Sequence, residues 1–274
     1  MLPIGLQLYS VRNEMEKDFE GTLKKVAEMG YEGVEFAGLF DKSAAEIKAL
    51  LEKYSLTAVS AHVPLAEMLA DMDKVIATYK EIGCKYIAIP YVDECYRPGT
   101  PDYPETLKKI AELGKKAAEA GLTLLYHNHD FEFVKIDGVY GLDVMYSTVP
   151  ASYLQTELDT CWVNVGGEEP APYILKYKGR TPVIHLKDFV MKGKDKPKKL
   201  YELIGIEDDT EAASEEDFSF KPVGYGVQDF PAILESAEKA GAKWVVVEQD
   251  SPDKGNTPLN AVKMSIDYLK KLGW

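Results

Sequence analysis

The chain is poor in the residues from which many specialised sites are built. Its three cysteines, Cys84, Cys95 and Cys161, form no C-x-x-C pair, which argues against a disulfide framework or a thiolate zinc site and fits a reducing compartment. Positive charge is also short. A formal net charge of -13 repels nucleic acid and anionic membranes. No apolar run approaches the roughly 20 residues of a membrane span. The opening MLPIGLQLYSVRNE lacks a basic segment followed by a long apolar stretch. A cytoplasmic protein acting on a small polar molecule is therefore expected, without nucleic-acid or membrane partners and with homo-oligomerisation left open. Only four histidines are present, and two of them, His127 and His129, stand one residue apart in LLYHNHDFEF. On a strand, such positions face the same side.

Against these absences stands an ordinary hydrophobic content of 46%, enough for a sizeable core. Eight short apolar runs recur: residues 4–9, 33–36, 57–62, 86–90, 122–127, 154–159, 182–186 and 244–249. Helical periodicity separates them. Phe19, Leu23, Val26 and Ala27 form one apolar face, and Ile47, Leu50, Leu51 and Tyr54 another. Glycine punctuates the return to strand in EMGYEGVEF, EIGCKYIAIP, EAGLTLLYH and KAGAKWVVVE. Eight strand–helix repeats in this length predict a (β/α)8 TIM barrel. The runner-up, a doubly wound open sheet, lacks its glycine-rich phosphate loop after the first strand, where the sequence reads QLYSVRNE. One domain over 1–274 is expected, with a charged excursion at about 192–222, basic and then acidic, leaving the loop after the seventh strand as exposed surface.

A barrel gathers the carboxyl ends of its strands around one mouth, where barrel enzymes work. These ends carry Gln7 and Tyr9, Glu35, His62, His127 and His129, Glu157 and Asp159, His185 and Lys187, and Glu248 and Asp250. All four histidines fall there. His127, Asp159, His185 and Glu248 form a nitrogen and oxygen donor set suited to one divalent ion, Mn, Co, Zn, Mg or Fe(II). Such an ion polarises a carbonyl and stabilises the enediolate left when the adjacent carbon loses a proton. Glu248 is the candidate base. Lys187 either neutralises an oxyanion or phosphate or pairs with Asp159 or Glu248. Glu157 reads as buried support, Cys161 as a small buried side chain, and Gln7, Tyr9, Glu35, His62 and His129 as candidate substrate contacts. Tyr91, Tyr96 and Tyr103 fall in the loop after the fourth strand, where they either close over a sugar or simply pack.

Read in order, GLQLYSVR, GYEGVEFAG, SAHVPL, LLYHNHDFEF, ELDTCWV, HLKD, GYGVQDFPAIL and VVVEQD resemble the sugar phosphate isomerase/epimerase superfamily with the xylose isomerase-like TIM barrel. The resemblance covers nearly the whole chain. It implies a metal-dependent enzyme on a sugar or keto-sugar, with Asp159, His185 and Glu248 as three of four ligands. Where that superfamily commonly shows Glu-Asn-His at strand five, this chain has His127, Asn128 and His129; the resemblance puts His127 in the glutamate's place as ligand and as an imidazole base, or leaves that base missing, with His129 and Glu132 as alternative ligands. The resemblance implies for ketose 3-epimerases two glutamate bases, on strands five and eight. Asp-x-x-His at strand six is likewise replaced by Asp159 and Trp162, the latter another candidate substrate contact. Isomerase or epimerase is the first expectation. A lyase on keto-sugars, keto-glycosides or inosose-type substrates comes second, and a non-catalytic sugar sensor third. Metal-dependent DNA repair, which shares the superfamily, is disfavoured by the net charge and by so few histidines.

Overall fold

The computed structural model describes residues 1–193, 201, 205 and 217–274. The eight apolar runs become strands β1 (Ile4–Gln7), β2 (Gly33–Ala37), β3 (Thr57–His62), β4 (Tyr86–Ile89), β5 (Thr123–His127), β6 (Gln155–Asp159), β7 (Val183–Leu186) and β8 (Trp244–Val247). All pair in parallel with their sequence neighbours, and β1 closes on β8 with Ile4 opposite Val245. The expected (β/α)8 barrel is the observed fold. Helices Phe19–Met29 and Ala44–Tyr54 bury Phe19, Leu23 and Val26, and Ile47 and Leu51, respectively. Four of the glycines that end helices, Gly30, Gly83, Gly121 and Gly241, have φ between 82° and 104°, a region that an L side chain resists.

Alternation along the strands stacks the interior in layers. Val59, Ala88, Leu125, Val183 and Val246 fill an apolar floor. Gly33 makes room at that level, since a Cβ there would lie 2.6 Å from Val59 Cγ2 and 2.9 Å from the Thr57 carbonyl. Two residues further along several strands the chemistry changes. Leu125 is followed by His127, Val183 by His185 and Val246 by Glu248, all buried. The polar site is thus a continuation of the core's own period.

Two boundaries differ from expectation. β1 stops at Gln7, because the Gln7 side chain accepts a hydrogen bond from the Tyr9 N–H at 2.9 Å and the chain turns through Leu8–Val11. Tyr9 therefore sits on a turn. Tyr103 is not in the loop after β4 but opens helix Tyr103–Glu119, where its hydroxyl donates to the Gly141 carbonyl at 2.7 Å. Tyr96 packs partly buried against the core.

Of the charged excursion, residues 194–200, 202–204 and 206–216 lie outside the described residues. Its described end, Phe218–Lys221, pairs antiparallel with Asp188–Met191. Phe189, Phe218, Phe220 and Tyr201 join Cys161 and Trp162 in a separate apolar cluster. No helix among the described residues is long and apolar enough to cross a membrane. All three cysteines are free, with Cys84 and Cys161 buried and Cys95 exposed.

Candidate functional site

The ends of β5 to β8 bring His127, Asp159, His185 and Glu248 together, one donor atom from each lying within 4.8 Å of the others. His127 Nε2 stands 3.7 Å from Asp159 Oδ2 and 3.9 Å from Glu248 Oε2, and His185 Nδ1 stands 3.1 Å from Glu248 Oε2. Ligands about 2.1 Å from a tetrahedral ion are about 3.4 Å apart, so these spacings fit a small divalent cation. The sequence D-T-C-W explains how Asp159 is presented. Its Oδ1 caps helix Thr160–Val165 by accepting from the Trp162 N–H at 3.0 Å. Oδ2 is left buried with no hydrogen-bond partner among the described residues, as a waiting ligand atom would be. Mixed imidazole and carboxylate donors suit a borderline or hard ion.

Beneath this set lies a second polar layer. Glu35 accepts from Gln7 Nε2 at 2.6 Å and from the Ser60 hydroxyl. His62 Nε2 bridges Glu157 Oε1 at 2.6 Å and Glu35 Oε1 at 3.1 Å. Gln7 and Glu35, expected as substrate contacts, are wholly buried in this network and do not line the cavity described below. Trp162 is also wholly buried, lying under the Lys187 ammonium at 5.3 Å and beside the His129 ring.

The charges interlock. Burial opposes ionisation of Glu248, but Lys187 and His185 outweigh it and hold the carboxyl well below its usual range. Burial likewise disfavours the Lys187 ammonium, yet Asp250, Glu248 and Asp159 hold its pKa well above normal. Lys187 Nζ lies 3.2 Å from Glu248 Oε2 and 3.8 Å from Asp159 Oδ2, and pairs with Asp250. Burial pushes Asp159 up to about 7 and Asp250 up to about 6. Burial, reinforced by repulsion from His185 and His62, keeps His127 well below the usual histidine range and neutral.

The stretch that follows β5 is shaped by its own polar side chains. Asn128 clamps the end of β6, its Oδ1 accepting from the Asp159 N–H at 3.0 Å and its Nδ2 donating to the Asp159 carbonyl at 3.4 Å. Glu132 is buried and accepts from the Tyr126 hydroxyl at 2.5 Å and the His129 N–H at 2.8 Å. These bonds turn the chain after the strand and hold the His129 ring 5.3 Å from that of His127. Both imidazoles do face one space.

That space is a cavity of about 450 Å³, lined among others by Tyr9, His62, Tyr91, His127, His129, Lys187, Glu248 and Asp250. Pro64, Glu67, Pro90 and Gly205 also reach it. No strand pattern marked Pro64, Glu67 or Gly205, because each is brought there by a loop or helix turn, whereas Pro90 closes the fourth apolar run two residues beyond Ala88. Tyr201 donates to Asp130 Oδ1 at 2.6 Å and packs its ring 6.2 Å from that of His129.

Known proteins resemble this chain in sequence or in fold. An inosose dehydratase of Clostridium botulinum is 23% identical over 93% of this chain and 90% of its own length. A sugar phosphate isomerase/epimerase structure from Parabacteroides distasonis superposes with a TM-score of 0.73 at 23% identity, covering 99% of this chain and 98% of its own. An IOLI protein solved with a bound zinc atom gives 0.71 at 16% identity, covering 99% and 98%. The xylose isomerase-like TIM barrel model matches residues 23–272, and the chain belongs to that family.

Proposed function

We propose that the chain is a metal-dependent lyase that dehydrates a keto-cyclitol or keto-sugar of the inosose type. Its curated relatives named inosose dehydratase support the lyase reading over the isomerase or epimerase expected first. The observation that carries it is the placement of Glu248 beside Lys187, a carboxylate and an ammonium 3.2 Å apart at the cavity wall. Elimination needs a base for the carbon-bound proton and an acid for the departing hydroxyl, and a neighbouring pair serves both from one face. Epimerisation instead needs proton exchange from two faces. Groups that flank one carbon within reacting distance, about 3 to 3.5 Å each, must stand roughly 6 Å apart. His127 Nε2, in the place of the second base, is only 3.9 Å from Glu248 Oε2.

In this reading, Glu248 takes the proton next to the carbonyl, and the C–H electrons pass into the carbonyl to give an enolate. As the enolate collapses, a carbon–carbon double bond forms, the neighbouring C–O bond breaks, and Lys187 protonates the leaving hydroxide to water. A divalent ion held by His127, Asp159, His185 and Glu248 would supply Lewis-acid polarisation of the substrate oxygens. Asp250, paired with Lys187, holds the ammonium at the wall. Tyr9, Tyr91 and His62 line the remaining surface on which a sugar ring would rest.

The test uses metal-reloaded protein with inososes, keto-glycosides and ketoses in deuterated water, followed by mass spectrometry. The expected result is a product lighter by one water from the inosose-type substrate, lost in Glu248→Gln. Deuterium exchange without loss of water would replace the lyase with an isomerase or epimerase. Binding without exchange would make the protein a sensor.

A further inference from the structure

We propose that Glu157 and Glu35 are positioning residues that turn His127 and His185 toward the ion, an inference that rests on the metal reading of this site. Each of these histidines spans two layers. On the cavity side, His127 presents Nε2 to Asp159 and Glu248, and His185 presents Nδ1 to Glu248. On the rear side, His127 Nδ1 lies 3.3 Å from Glu157 Oε1, while His185 Nε2 lies 2.8 Å from Glu35 Oε1 and 3.3 Å from Glu157 Oε1. Among the described residues, both rear nitrogens and Glu157 Oε2 are buried without an aligned hydrogen bond. The carboxylates are therefore the polar groups that these nitrogens face.

A neutral imidazole carries one N–H and one lone pair, and only the lone pair binds a cation. A carboxylate behind the ring favours the N–H on its own side and leaves the lone pair on the other, while making that nitrogen more basic. Strand register places the partners. His127 is directly opposite Glu157 across β5 and β6, and Asp159 is opposite His185 across β6 and β7. A slip of one residue would turn the whole set away. The rear layer is itself fixed. Gln7 and Ser60 hold Glu35, and His62 bridges Glu35 and Glu157 with its ring stacked on that of His185 at 5.4 Å. The histidine that replaces glutamate at the end of β5 thus finds, on the adjacent strand, the carboxylate it needs to act as a ligand.

The test measures zinc and manganese affinity by competition with a chromophoric chelator in wild type, Glu157→Gln and Glu157→Asp. Glu157→Gln keeps the side chain's shape and removes its charge, so affinity is expected to fall about 10- to 100-fold, with Glu157→Asp recovering part of it. In parallel, ¹⁵N-histidine NMR of the zinc-loaded wild type reads the tautomers without any variant having to fold. Protons on His127 Nδ1 and His185 Nε2 are expected. A proton on His127 Nε2, or unchanged affinity in Glu157→Gln, overturns the inference and leaves the metal site standing. A wild-type protein that binds neither ion overturns both.

Discussion

Replacing Glu132 by glutamine should exchange a pH-dependent weakness for a fixed one. Burial pushes the Glu132 carboxyl from its usual 4.5 up to about 8, against the stabilising hydrogen bonds from Tyr126 and His129. An acid whose folded pKa is raised binds its proton more tightly in the native state than in the unfolded chain. Its contribution is full below about 4.5 and is lost as pH rises through about 8. At about 1.4 kcal/mol per pH unit, that window is worth about 5 kcal/mol as an upper limit. Glutamine does not titrate. Like the protonated acid it offers one carbonyl to the His129 N–H and one donor to the Tyr126 hydroxyl, but its amide brings a second N–H into the buried site, so it should lose about 1–3 kcal/mol relative to the protonated acid. The two effects cross: Glu132→Gln should be less stable than wild type at acid pH and more stable at alkaline pH. Urea denaturation of both proteins across that range reads the difference directly, and shared titrations elsewhere in the site cancel in the comparison. A constant offset at every pH would refute the reasoning, since Glu132 would then titrate alike in folded and unfolded chains.

Other consequences follow from the same geometry. Asn128→Ala removes the clamp on the Asp159 backbone and leaves a buried N–H unpaired, so urea denaturation should show a loss of about 1–3 kcal/mol; an unchanged midpoint would count against the clamp. Lys187→Met takes the cation from Glu248, Asp159 and Asp250. In chelator-treated protein this should cost about 3–5 kcal/mol, seen as a lower Tm. Added zinc or manganese should raise the variant's Tm more than that of wild type, because the ion replaces the missing charge. Equal metal responses would show that Lys187 does not share the ion's carboxylates.

The sequence by itself determined the barrel and most of the mouth. Period-two strands, helical faces and glycine stops are local signals, and a parallel barrel must collect its strand ends on one side. His127, Asp159, His185 and Glu248 could therefore be grouped before any coordinates, although they are far apart in the chain. The preference between chemistries was less legible: the same donor set serves isomerase and lyase, and relatives' names favour the second. Tertiary structure decided what the local pattern could not carry. Gln7, Glu35 and Trp162 stand at or beside strand ends, yet they are fully buried, because depth within a barrel depends on strand stagger and on which neighbour closes over each side chain. Glu67 and Gly205 enter the cavity from outside the strand period. The pairing of each histidine's rear nitrogen with a carboxylate came only from register across strands, since hydrogen bonds and ion contacts act over a few ångströms in space and leave no fixed spacing in sequence.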